Sequence, residues 1–291
     1  MKTKTAKLSL RAKTFPTHSE FKEIFITFIL VLLALSVILP LILPWMFVFK
    51  TRLEYNYSPW SWPTEIRWDN FVEAWHAIQI GQGLINTFWV CLGAIACTVP
   101  AAAMAGYIFA RYRTKLTEVL FYIVLAGYFV PVQMVLIPLY QLCGNMGLTD
   151  TLPGLFLPMT AFGIPFWTII YRSFFIKLPH ELAEAARIDG AGHTNIFVRI
   201  MLPLAKPATV LAILLVFMGS WSDYLLSLIM INSAEKYTMQ LRISQFMNNY
   251  GVDHMPRYAA AAIISAAPTI ILYIFGHRWI IQGTLAGAIK G

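Results

Sequence analysis

The chain has 291 residues, of which 58% are hydrophobic and only 12% charged, with a net charge of +8. Soluble domains carry about 25% charged residues, so half that share cannot cover a water-facing surface, and a disordered chain is excluded on the same ground. The composition fits a chain that sits mostly in lipid, with room for six spans of about 22 residues each.

A polar, basic tail covers 1–23, and an apolar run follows at 24–49. The run lacks a small-residue cleavage site and is too long for a signal-peptide core, so it reads as a retained first transmembrane helix. Pro40 and Pro44 are expected to kink it. Residues 50–83 form the largest loop, where Trp60, Trp62, Trp68 and Trp75 are candidates for an interfacial belt. Further apolar runs at 84–110, 118–142, 152–176, 207–232 and 258–281 complete six expected spans. Residues 84–291 thus read as a core of five transmembrane helices. Pro131 and Pro138, seven apart, are expected to kink the third span twice on one face; Pro153, Pro158 and Pro165 do the same in the fourth.

The basic residues set an orientation. Sixteen of the 22 Lys and Arg fall in 1–23, 111–117, 172–206 and the C-terminal stretch; the other six are Lys50, Arg52, Arg67, Lys236, Arg242 and Arg257. Positive charge collects on the cytoplasmic side, so both termini are expected in the cytoplasm and the loops at 50–83, 143–151 and 233–257 outside. The same split accounts for the net charge without nucleic acid. No GxxxxGK[ST] or GxGxxG appears, Cys91, Cys97 and Cys143 form no CxxC pair, and the six His residues are scattered, so no nucleotide, metal, cofactor or catalytic site is assigned to this chain.

The most informative stretch, 178–207, lies between the fourth and fifth spans. Pro179 suits a first helical turn, and Glu181 favours a helix N-terminus. Leu182, Ala183, Ala185 and Ala186 are good helix formers, and Gly190 is placed to stop the helix in a left-handed conformation. Thr194 is the expected cap of a second helix, on which Phe197, Ile200 and Met201 make an apolar stripe. Two helices of about ten residues are marginal alone. Their apolar faces must pack either on the protein's own cytoplasmic ends or on a separate subunit.

Here the residues carry a resemblance. Glu184-Ala185-Ala186, Asp189-Gly190-Ala191, then Phe197, Ile200, Leu202-Pro203 and Pro207 resemble the EAA loop, the signature of permease subunits of binding-protein-dependent ABC importers. Other segments are similar to the carbohydrate branch, the maltose-permease MalG-like subunits: Asn86-Thr87, Tyr107–Arg111, Pro131 with Ile137–Tyr140, Gly147–Thr151, Trp221–Tyr224 and Gly283–Gly291. Ser222 stands where many members have Asn. The resemblance implies an all-α membrane fold of six helices with a cytoplasmic EAA coupling loop, in a bacterial inner membrane. It implies a second, homologous permease subunit, two ATPase subunits that carry the ATP and Mg, an extracytoplasmic solute-binding protein and a sugar substrate. Carried over, Glu184, Ala185, Ala186, Asp189, Gly190 and Ala191 are the ATPase-coupling residues, and the chain itself is no enzyme.

Asp223 is the acidic residue placed well inside a predicted span; it either lines a pathway or is a satisfied group between helices. Its neighbours Trp221 and Tyr224 suit stacking on a sugar, and equally suit helix–helix contact. In the outer loop at 233–257, Asn248, Asn249, Tyr250 and Gly251 are candidates for contact with the binding protein; the alternative is a solvated linker. A secondary transporter or channel working without an ATPase, or the same importer type with a glycerol phosphate as substrate, are the competing readings. An intramembrane protease would need a paired Asp or a Ser–His pair at depth, and neither is visible.

Overall fold

The computed structural model describes the backbone of residues 18–288 and the side chains of 22–277, and among the described residues every regular element is helical. The first helix, α1 (His18–Val48), runs unbroken through Pro40 and Pro44 and exposes nearly all its apolar side chains up to Ile42. Two short helices follow, α2 (Arg52–Tyr57) and α3 (Asp69–Ala77), so 50–83 is partly helical. Trp60, Trp62, Trp68 and Trp75 are all exposed there. The next helix, α4 (Ile80–Arg111), begins four residues before the expected 84, after Gln79 turns the chain at a positive φ of 54°.

The predicted third span is broken, not merely kinked. It divides into α5 (Lys115–Tyr128), a 3-10 turn (Val132–Val135) and α6 (Leu136–Asn145), bent by 88°. The break falls at Pro131, which has no N–H to continue the helix. Pro138 does not bend the chain a second time. It sits in the first turn of α6, where a missing N–H costs nothing. The fourth span, α7 (Pro153–Lys177), starts on Pro153 and carries Pro158 and Pro165 inside an unbroken helix.

After the 178–205 segment come α11 (Lys206–Trp221) and α12 (Leu225–Met230), then α13 (Met239–Tyr250) and α14 (Met255–Ala288). Within 178–205 lie α8 (Glu181–Ile188), α9 (His193–Ile196), a π-helical turn (Phe197–Met201) and α10 (Leu202–Leu204). Among the described residues, four helices are long and apolar enough to cross a membrane, and six spans result if each of two bent pairs is one.

Helices α4 and α7 form the axis of the fold and pack along their length. Gly106 makes this possible: a Cβ there would lie 2.6 Å from Tyr171 Cβ and 2.8 Å from Arg172 N. At one end, a core of Tyr107, Tyr171, Phe175, Ile196 and Met201 joins α4, α7, the 178–205 segment and α11. At the other end, one cluster includes Val90, Leu155, Leu226 and Leu241, and another includes Val48, Ile78, Met239 and Ala260.

All six Lys and Arg assigned to the outer loops lie at that second end, and each is held by the chain itself. Lys50 is fully buried; its Nζ donates to Ser58 O (2.7 Å), Pro59 O (2.9 Å) and Ser61 Oγ (3.2 Å), and burial pushes its ammonium below the usual Lys range. Arg52 pairs with Asp253, Arg67 with Asp69, Arg257 with Glu73 and Lys236 with Asp150. Arg242 donates to Gln79 Oε1 and Ala234 O, both at 2.8 Å.

Candidate coupling loop and translocation site

The chain leaves α7 through Leu178 in an extended conformation, as a residue before proline must. Pro179 lies one residue before the N-cap His180, not inside the first turn as the sequence suggests. Glu181 and Glu184 occupy the first turn of α8 and Arg187 the last, the arrangement that complements the helix dipole. Ala183 and Ala186, three apart, face inward and pack with Tyr107, Phe175 and Phe197. Glu184 and Ala185 face outward, with Leu182 40%, Ile188 86% and Val198 50% exposed.

The helix ends in a Schellman motif. Gly190 has φ +81°; its N–H donates to Arg187 O (3.0 Å), and Ala191 N–H donates to Ala186 O (2.9 Å). Asp189 is the exposed C-cap. The second helix differs from its expected form. Gly192, not Thr194, is its N-cap, and it makes no side-chain bond. Thr194 lies two residues past the cap, because the tight turn after Gly190 leaves Gly192 as the last extended residue. From His193 the chain then stays helical to Leu204 through the π turn. Phe197, Ile200 and Met201 close over the aromatic core.

The loop is fastened to the end of α4. Arg111 donates from Nη1 to His180 Nδ1 (3.0 Å) and from Nη2 to Leu178 O (3.1 Å) and Pro179 O (3.3 Å). Accepting at Nδ1 leaves His180 protonated at Nε2 when neutral. Tyr112 Oη and His193 Nδ1 stand 2.6 Å apart. His180 and His193 carry no assigned chemistry in the sequence; the structure makes them ties between α4 and the loop. Their signal was the basic close of α4, Arg111-Tyr112, which can reach the loop only once α4 and α7 are paired.

The residues Trp221, Asp223 and Tyr224 do not form one site. Asp223 is not in mid-helix: α11 ends at Trp221 and α12 starts at Leu225. Its Oδ1 accepts from Ser227 N (3.1 Å) and Ser227 Oγ (3.2 Å), so it caps α12. It also lines a cavity of about 250 Å³ with Thr98, Met159, Phe162, Trp167 and Ser220. Trp221 is buried away from that cavity, its indole N–H donating to Ser265 O at 2.9 Å. Tyr224 turns to a different groove beside α13.

The outer segment 233–257 is neither a loop nor a linker for most of its length. A 3-10 turn (Ala234–Lys236) leads into α13, whose Met239, Leu241, Ile243 and Phe246 are buried. Asn248, Asn249 and Tyr250 form its exposed last turn, and Gly251 ends it at φ +68°. A polar clamp missed in the sequence fixes the start of this segment. Asp150, itself at φ 55°, accepts at Oδ1 from Asn232 N (3.0 Å) and Ser233 N (2.9 Å), and at Oδ2 from Ser233 Oγ and Lys236 Nζ. The Ser233 hydroxyl first, then the Ser233 amide, the Lys236 ammonium and the Asn232 amide hold its carboxyl well below the usual carboxylate range. Asn86 adds a second tie, donating to Glu235 O (2.7 Å) and Tyr237 O (3.1 Å).

Residues 98–284 match the family described as binding-protein-dependent transport system inner membrane component, and the chain belongs to that family. It is a multi-pass membrane component of a transport system. The permease protein NgcG of a diacetylchitobiose uptake system from Streptomyces coelicolor is 31% identical over 264 residues, 90% of this chain and 87% of the relative. The melibiose/raffinose/stachyose import permease MelC of Bacillus subtilis is 29% identical over 243 residues, 83% of this chain and 87% of the relative. A chain of a bacterial ABC transporter that imports the acidic polysaccharide alginate has the same fold, with a TM-score of 0.79. It is 20% identical, and the match covers 91% of this chain and 99% of that one.

Proposed function

We propose that this chain is the membrane subunit of an ATP-driven, binding-protein-dependent importer of a sugar or oligosaccharide. It works with a second, homologous permease subunit, two cytoplasmic ATPase subunits and an extracytoplasmic solute-binding protein. ATP and Mg belong to the ATPases, and this chain is not itself an enzyme. The relatives named for diacetylchitobiose and for melibiose, raffinose and stachyose support a carbohydrate substrate.

The observation that carries the reading is the division of α8 into two faces. Ala183 and Ala186 are packed on the chain's own core, while Glu184, Ala185 and Ile188 stand outside. An eight-residue helix with an exposed Ile at its end is covered by a partner: of the coupling residues, Glu184, Ala185, Asp189 and Gly190 then meet an ATPase, while Ala186 and Ala191 seat the helix on the core. The cavity at Asp223 belongs to the translocation pathway. The exposed turn Asn248–Gly251 touches the docked binding protein.

The test is purification and labelling. The chain should come out of membranes with an ATPase bound and should move no sugar alone. Single cysteines near 60 and 250 should react from outside, and those at 115 and 190 should not. Outside labelling at 190 would remove both the orientation, with both termini in the cytoplasm, and the coupling role. Replacing 247–251 with Gly-Ser should leave basal ATP hydrolysis and reduce binding-protein-dependent uptake.

A further inference from the structure

Two of the clefts in the molecule are chemically occupied by the chain itself. In one, Asp223 spends Oδ1 on capping α12. In another, Arg52, Arg67 and Arg257 are each held by a carboxylate. A third is different. An open groove of about 290 Å³ runs between the start of α12, one face of α13 and the first turn of α14. Gln240, Ser244 and Asn248 recur every four residues along α13 and so share one edge of the groove. Tyr224 and Tyr258 supply two phenol rings, Ile243 and Met247 are apolar, and among the described residues no lining side chain is charged.

We propose that this groove is a carbohydrate subsite and that the sugar it takes is neutral. The inference rests on the importer reading above and adds to it a place and a substrate class. A pyranose presents an apolar C–H face and a rim of hydroxyls. Aromatic rings suit the first, and amides, which both donate and accept, suit the second. The groups are held in place before any ligand arrives. Gln240 Nε2 donates to Ser265 Oγ (3.2 Å), and Ser265 O in turn holds the Trp221 indole; Ser244 Oγ donates to Tyr224 Oη (3.1 Å). Preorganised groups cost less to order on binding. The volume is near the lower limit for small-ligand sites, about 300 Å³, which suits one ring of a longer chain.

Charge decides between neutral and acidic sugars. A uronate carboxylate leaving water needs a cation or a cluster of N–H donors to offset its desolvation. Among the described residues the lining of this groove has no cation, and Arg52, Arg67 and Arg257 of the second cleft are already paired. The shared fold with an alginate importer therefore does not extend to a shared substrate charge.

The test uses the complete complex with its binding protein in vesicles. It measures uptake of raffinose, diacetylchitobiose and an alginate trisaccharide, together with ATP hydrolysis. Should the wild-type complex move none of these or of a wider panel of neutral oligosaccharides, the importer reading fails and the subsite goes with it. Should it move only the alginate trisaccharide, the importer reading stands and the neutral subsite is wrong. With a neutral sugar moved, Tyr224→Ala and Gln240→Ala should lower sugar moved per ATP by about ten-fold or more. Binding-protein-stimulated ATP hydrolysis should stay within about two-fold of wild type, and Tyr224→Phe, which keeps the ring, should retain uptake. Uptake unchanged in both alanine variants, or lost in step with ATP hydrolysis in both, overturns the proposal.

Discussion

The two ends of the α4–α7 axis are built on different principles. At the coupling-loop end, a contiguous stretch of sequence folds locally and buries alanines and aromatic rings, with Arg111 as the main polar tie. At the opposite end, segments far apart in sequence are joined by polar bonds: Asp150 to 232–236, Asn86 to 235–237 and Gln79 to Arg242. Charge follows the same division. The second end holds six Lys and Arg against seven Asp and Glu, so the net +8 comes from elsewhere. One end is a hydrophobic joint with an exposed face; the other is a self-neutralised polar frame. The proposed importer uses the first as its partner surface and the second as the mouth that receives substrate.

The comparison is broken most severely at Gly190. Its φ of +81° is closed to proline, whose ring holds φ near −65°. Gly190→Pro should abolish sugar-stimulated ATP hydrolysis and transport while the chain still inserts into the membrane. Glu184→Lys, on the exposed face, should do the same without loosening the core. Normal coupled hydrolysis in both would remove the loop from the coupling path.

The axis that links the two ends is tested at Gly106. Gly106→Leu forces a side chain against the backbone of Arg172, and overpacking costs about 1–3 kcal/mol or more. A thermal melt in detergent should fall clearly, and both ends should fail together; loss at one end alone would show that the axis is not shared.

A weaker effect is expected at Asp150. Asp150→Ala should free the 232–236 segment, read as faster proteolysis there, with the coupling loop unchanged. The pH dependence has a definite sign. The folded carboxyl is held below its ordinary value, about 3.9, so its contribution is complete above about pH 4. It is lost as pH falls through the folded value. A frame that loosens instead between pH 8 and 6 would point to some other group. The smallest effect belongs to Thr194→Ala. Because Gly192 caps the helix, stability should shift by less than about 0.5 kcal/mol.

The sequence was readable where structure is local. The 178–207 stretch carries its helix formers, its stop glycine and the residues that resemble the EAA loop in one run, and the expected turn at Gly190 is observed. The misplaced cap at Thr194 is an error of two residues. Long-range features were hidden for a physical reason. Nothing in Gly147–Thr151 says that Asp150 will meet Ser233, because 83 residues separate them and only the pairing of α7 with α12 brings them together. The break at Pro131 was signalled by a residue that cannot continue a helix. The break at Ser222-Asp223-Tyr224 contains neither Pro nor Gly, so the apolar run hid it. The available clue was Asp223 with Ser227 four residues on, a capping pair read instead as a charge in mid-span.

Helix α4 is a single rod of 32 residues, about 48 Å long at 1.5 Å per residue. One end carries Arg111, fastened to the coupling loop; the other carries Asn86 beside Gln79, fastened to the 234–242 frame. Such a rod imposes a thermodynamic debt in both directions. If docking at the frame favours one tilt of α4 and strengthens binding at the coupling loop by some factor, a partner on the coupling loop must strengthen docking at the frame by the same factor. Two titrations, each partner against the complex with and without the other, should close to one coupling free energy.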